Sequence, residues 1–259
     1  ESFEAYKSYL ELDSYMKGQY FHTIEDFNEL LNKIDMVLKL DNNYTKALEI
    51  KVLFLFIKST IFLEGNMDAK TTLKMSSIIE EINIICENIL KIDNNSKFAI
   101  LGQSVLPLLK SLSSSLPEQL LSFRYSIQKA NKLFDMYPES ILANWGMALL
   151  YDMKIEYLPF SSNDDMQKSL IYTDKIIEQS NKYIRATSID FLDLVTIQAA
   201  YYHKDSNSEL SLEQREMMFN NLYLLDKNNH YLTGQRDVNQ KLIWIRLLTI
   251  NIITWRLLR

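Results

Sequence analysis

The chain has 259 residues, 47% hydrophobic and 12% aromatic, with 33 acidic against 28 basic side chains and a net charge of −5. That apolar content excludes a disordered chain, and the even spread of charge excludes the basic stripe through which proteins release counterions from nucleic acid. Only 5 Gly and 4 Pro argue against an all-β fold built on special turns and against Gly-rich phosphate loops, which leaves helix.

Apolar periodicity predicts helices in pairs, over about 2–17 with 23–40, 45–63 with 70–92, 97–112 with 117–136, 140–156 with 165–180, and 184–203 with 211–226. A last helix begins near 236. In the second segment Phe27, Leu30, Leu31, Ile34, Val37 and Leu38 recur at steps of three and four, which places them on one stripe that must pack. Thr23 before Ile24-Glu25-Asp26 and the capping box Ser211-Leu212-Glu213-Gln214 mark helix starts, as do Pro117 and Pro138. Pro107 falls inside the fifth segment, where its missing N–H is expected to kink the helix or end it early. Gly65-Asn66-Met67-Asp68 and Pro159 to Asp165 are the longest turns within pairs. No Pro/Gly/Ser-rich linker divides the chain, so one elongated domain over 1–259 is expected.

The turns between pairs are alike. Asp41-Asn42-Asn43, Asp93-Asn94-Asn95, Tyr137-Pro138-Glu139, Ser180-Asn181-Lys182 and Asp226-Lys227-Asn228 stand 52, 44, 43 and 46 residues apart. A spacing of this size is that of stacked helical hairpins, each burying its apolar face against the next.

The side chains that carry chemistry elsewhere are sparse here. His22, His203 and His230 fit no metal-ligand spacing, and no phosphate loop, dinucleotide fingerprint or nucleophile elbow occurs, so neither a metal, a cofactor nor an enzymatic activity is expected. The single cysteine, Cys86, sits in an apolar run and reads as a small core residue. Glu80-Glu81 and Asp164-Asp165 read as solvated and capping carboxylates, since an acid/base role would need burial that separates their pKa values.

Residues 242–259 are apolar on nearly every side. Arg246, Asn251 and Arg256 interrupt the run, so no transmembrane segment is expected. The helix is read as packing back on the molecule or as a partner or homo-oligomer contact, with Trp244, Arg246, Trp255 and Arg256 as anchors.

The strings Leu40 to Leu48 and Lys91 to Ile100, Pro138 with Ala143, and Ala186 resemble the junctions of tetratricopeptide repeats, although the spacing here is longer than in that family and its usual Trp, Leu-Gly and Tyr positions are poorly kept. The resemblance implies an all-α right-handed solenoid of about five antiparallel helix pairs, closed by the apolar C-terminal helix, with a concave groove that binds a protein or peptide. Aligned on the small alanines, it implies groove positions Lys46, Glu49, Leu53 and Phe56, then Phe98, Leu101 and Val105, then Leu142, Trp145, Leu149 and Asp152, then Arg185, Ser188 and Leu192. The basic clamp that the family uses for a terminal carboxylate is absent from these positions. A non-enzymatic scaffold is therefore the first expectation. The alternative is an exported bacterial lipoprotein that helps a transporter, similar to the T-component group, holding a small or apolar ligand. A chain beginning at Glu1 is compatible with a removed leader and with a cell-envelope address, lipid-anchored or not, which is favoured slightly over the cytoplasm.

Overall fold

A computed structural model describes residues 2–18, 24–63, 69–111, 114–159, 161–183 and 191–228. They form ten α-helices and no strand: α1 Phe3–Gly18, α2 Ile24–Leu40, α3 Thr45–Leu63, α4 Ala69–Ile92, α5 Lys97–Ser111, α6 Leu116–Met136, α7 Ile141–Tyr157, α8 Asn163–Ser180, α9 Phe191–Asn207 and α10 Leu212–Asn228. The chain is all-α among the described residues. Thr23, Gly65 to Asp68 and the helix expected from 236 lie outside them.

The turns explain why the helices stop and restart where they do. Asp41 and Asp93 each accept the amide of the second residue onward, Asn43 at 3.0 Å and Asn95 at 2.9 Å, which tightens the chain reversal. Three junctions share one set of backbone bonds. The amides of Asp41, Asp93 and Tyr137 close onto the carbonyls of Val37, Ile89 and Leu133. Those of Tyr44, Ser96 and Ser140 close onto Asp41, Asp93 and Tyr137, and those of Leu48, Ile100 and Asn144 open the next helix on Tyr44, Ser96 and Ser140. Tyr183 closes onto Ser180 in the same way at the fourth junction.

Side chains then satisfy the orphan amides of the first turns. Ser96 Oγ accepts from Ala99, and Ser140 Oγ from Ala143. The capping box read from Ser211 to Gln214 is present in both directions, with Gln214 N donating to Ser211 Oγ and Ser211 N to Gln214 Oε1.

The helices differ in how they are covered. In α2 the buried side chains are Phe27, Leu30, Leu31, Ile34 and Val37, the stripe expected from the sequence, with Leu38 packed at its edge. In α4 they are Met75, Ile78, Ile79, Ile82, Ile85, Cys86 and Ile89, again at steps of three and four. By contrast α3, α5 and α7 are apolar around most of their circumference and bury it on several sides, as a helix of that composition must. The contacts follow suit. Each helix packs on the one before and the one after, and α3 also touches α5, α5 touches α7, and α7 touches α9.

Close approaches mark those inner contacts. A Cβ on Gly102 of α5 would stand 2.7 Å from Cys86 Sγ of α4, and one on Gly146 of α7 would collide with Leu101 of α5. Cys86 is fully buried, and burial pushes its thiol up to about 12, which leaves it a neutral core residue. Polar ties run between the same helices. Lys51 of α3 reaches Asp35 of α2 and Glu81 of α4, both at 2.9 Å; burial alone would lower its ammonium pKa, and the two carboxylates outweigh that and raise it.

Of the two outcomes expected at Pro107, a kink or an early end, the early end does not occur, since α5 continues to Ser111. A mid-helix proline costs about 3 kcal/mol. Leu106, Leu108 and Leu109 beside it are all buried, each gaining about 1.5–3 kcal/mol, so packing outweighs the lost bond.

Candidate functional site

Seven described side chains of α7 are half-buried, Trp145, Leu149, Tyr151, Asp152, Lys154, Ile155 and Glu156, among them the series Trp145, Leu149, Asp152 and Glu156. Steps of four, three and four put those four on one line along the helix, an edge of mixed apolar and acidic character. Trp145 packs into both apolar clusters of the molecule, the large one that runs from α1 to α7 and a smaller one formed by Ile141, Ile176, Ile197, Ala200 and Tyr201. It supports the edge as much as it lines it.

A buried polar cluster stands behind this edge. The inward stripe of α8 reads Asp165, Ser169, Thr173, Ile176 and Ser180, mostly polar where an apolar stripe would be usual. Each polar member is bonded, as burial requires. Lys154 of α7 donates to both oxygens of Asp165, at 2.7 and 2.8 Å, and Ser162 gives that carboxylate its N–H and O–H. Burial alone would raise the Asp165 carboxyl; the Lys154 and Ser162 bonds outweigh it and hold it below the ordinary value. Ser169 Oγ donates to the Ala148 carbonyl, and Thr173 Oγ1 to that of Ser169. Ser180 Oγ donates to Ile177 and lies 3.3 Å from the Tyr201 hydroxyl.

His203 of α9 closes the cluster. Its Nε2 lies 3.0 Å from Asp152 Oδ1 and 3.5 Å from Ser169 Oγ, and its Nδ1 lies 3.3 Å from Thr173 Oγ1. An ionised carboxylate only accepts, so Nε2 carries a proton. The other ring nitrogen faces the Thr173 hydroxyl, whose single proton serves either the Ser169 carbonyl or that nitrogen. Hydroxyl, imidazole and carboxylate thus stand together, but Ser169 is 0% and Thr173 1% exposed, so neither oxygen meets a reactant in this conformation. The arrangement locks α7, α8 and α9 in register.

An aromatic lane with lysines along it joins α6, α7 and α8. Tyr151 stacks on Tyr172 at 6.2 Å between ring centres, and Phe134 of α6 meets Tyr172 edge-on at 5.5 Å. Lys168 lies over Tyr151, and Lys175 over both Phe134 and Tyr172. Burial, and after it Tyr151, raise the Tyr172 hydroxyl above the ordinary tyrosine value.

The remaining positions inferred for a groove fall in different surroundings. Lys46 is exposed and pairs with Glu49 at 3.8 Å, while Glu49 accepts from Ser96 Oγ, just before α5, at 3.2 Å. Leu53 is buried and Phe56 half-buried against the core. Phe98, Leu101 and Val105 are core and not groove, at 5%, 3% and 3% exposure, because α7 lies directly over that side of α5 with Leu101 against Gly146. Leu142 is also buried. Arg185, Ser188, Trp244, Arg246, Trp255 and Arg256 lie outside the described residues, and the Leu192 side chain with them.

Asp165 is a second correction. It caps α8 as expected, but it is buried and paired where a solvated carboxylate was anticipated, whereas Asp164 is exposed beside Lys168. His203, Ser169 and Thr173 were not singled out together by sequence reasoning. Asp152 and His203 are 51 residues apart, and no local spacing signals that contact.

Among the described residues no group of three or more His, Cys, Asp or Glu side chains is placed to hold a metal ion, and no helix is long and apolar enough to cross a membrane. Compared with protein-family models, with curated proteins and with solved structures, the chain matches none.

Proposed function

We propose that this chain is a non-enzymatic scaffold, a tetratricopeptide-like stack of antiparallel helix pairs that takes a protein or peptide segment along the open edge of α7. The stacking is supported by the common bond set at its junctions and by the contacts α3 to α5, α5 to α7 and α7 to α9. Antiparallel pairing is supported by contacts whose numbers rise on one helix as they fall on the next, Asn28 with Lys58 and Asp35 with Lys51, or Asp165 with Lys154 and Ser169 with Ala148.

The observation that carries the binding site is the half-buried line Trp145, Leu149, Asp152 and Glu156, which joins two apolar side chains to an acidic pair along α7. Apolar burial at Trp145 and Leu149 would supply affinity, and Asp152, its side chain 14% exposed, would set the orientation of a segment with basic side chains. Trp145 is a poor probe because it also holds the two clusters together. Leu149→Asp is the better one, with Met36→Asp on α2, 61% exposed, as its control. A polypeptide that co-purifies with the full chain should lose at least tenfold in affinity for Leu149→Asp and retain it for Met36→Asp, since truncating a central contact is worth about 1.4 kcal/mol or more. Equal affinity for the two variants removes the α7 edge from the site.

A further inference from the structure

Of the 21 residues of α6, only Ser126, Ala130 and Leu133 are buried, on the side that packs against α5 and α7. Away from them Leu121, Tyr125, Gln128 and Lys132, at steps of four, three and four, share one exposed line with Arg124 beside it. Leu121 is 69% and Tyr125 47% exposed, one turn apart on a face where an outer helix ordinarily carries solvated side chains.

The charge on this face has one sign. Between Glu118 and Asp135 the helix carries Arg124, Lys129 and Lys132 and no acidic side chain, in a chain whose net charge is −5. None of the three has a carboxylate partner among the described residues, and Lys129 lies instead over the Tyr125 ring, 4.8 Å from its centre. On the neighbouring helices Lys110, Lys154 and Lys168 are each paired, with Glu80, Asp165 and Asp164. Glu118 is taken up by the Ser115 amide at the start of the helix.

Exposed cations beside apolar side chains fit an acidic polypeptide or an anionic bilayer, and the surroundings favour the first. Next to α6, through Phe134 against Tyr172 at 5.5 Å, stands α8 with Asp164, Asp174 and Glu178 exposed. A bilayer is wider than one helix and meets the field of those carboxylates and of an acidic molecule as a whole, whereas a single extended or helical segment meets α6 alone.

We propose that the outer face of α6 is a second docking site, which takes an acidic segment of a partner protein. Carboxylates of the segment pair with Arg124 and Lys132, and an apolar side chain of it lies on Leu121 and Tyr125. The α7 edge selects the opposite charge, so the two sites stand or fall separately.

Random peptides displayed on phage and selected on the full chain test the proposal. Selected sequences should be rich in Asp and Glu with Leu or an aromatic residue among them, and one such peptide, labelled, should bind more weakly as salt is raised. Arg124→Glu with Lys132→Glu should weaken it at least about tenfold, and Leu121→Asp likewise, with Met36→Asp on α2 leaving it unchanged. The substituted positions are exposed, so far-UV circular dichroism should keep the parental helix signal. A selection that returns no acidic peptide overturns the proposal, as does an acidic peptide whose affinity ignores both α6 variants. Binding to phosphatidylglycerol vesicles without binding to acidic peptides also overturns it, and assigns the face to a lipid surface.

Discussion

Asp165 makes the heaviest demand of any single residue, because a carboxylate 2% exposed is stable only while its partners hold it. Lys154 and Ser162 do so, and they keep its pKa below the ordinary 3.8. A carboxyl with a lowered folded pKa contributes stability above its unfolded value, and that contribution is lost as pH falls through the folded one. Asp165→Asn should therefore lower the unfolding free energy at pH 7 by on the order of 2 kcal/mol, the worth of charge-assisted bonds at a partly buried site. The gap from the parent should narrow as pH falls below about 4. A gap unchanged between pH 7 and pH 3 would mean that the pair contributes by shape and not by charge.

Among the helices, the turns were the most legible part of the sequence. Asp41 and Asp93 announce their reversals through a local bond to the second amide onward, and such bonds need nothing from the rest of the fold. Ser96 does two things at its junction, capping α5 at Ala99 and donating to Glu49 of α3. Ser96→Ala should then cost about 1–2 kcal/mol, more than a cap alone, and a cycle with Glu49→Gln should show coupling between the two positions. Additive effects in chemical denaturation would separate the cap from the tie.

What the sequence did not disclose depends on neighbours far along the chain. Phe98, Leu101 and Val105 have the spacing of an open face, and only the contact of α7 on α5 turns that face into core. Pro107 reads as a breaker until the burial of the leucines around it is weighed. The bond of His203 to Asp152 joins two helices separated by a third, and the polar inward stripe of α8 is intelligible only once Lys154 and His203 are opposite it.

On the scale of the whole molecule, α3, α5 and α7 carry the enclosed apolar mass, and the helices between them cover it. The account makes α7 both one of these enclosed helices and the one with a usable edge. Amide hydrogen exchange on the full chain, alone and with a co-purified partner, tests both statements at once. Alone, the slowest amides should lie in α3, α5 and α7, and the fastest among the described helices in α1 and α10. With the partner, added protection should fall on 145–156 and leave α2 and α4 unchanged. Added protection on α2 or α4, or equal rates for α7 and α10 in the free chain, would contradict it.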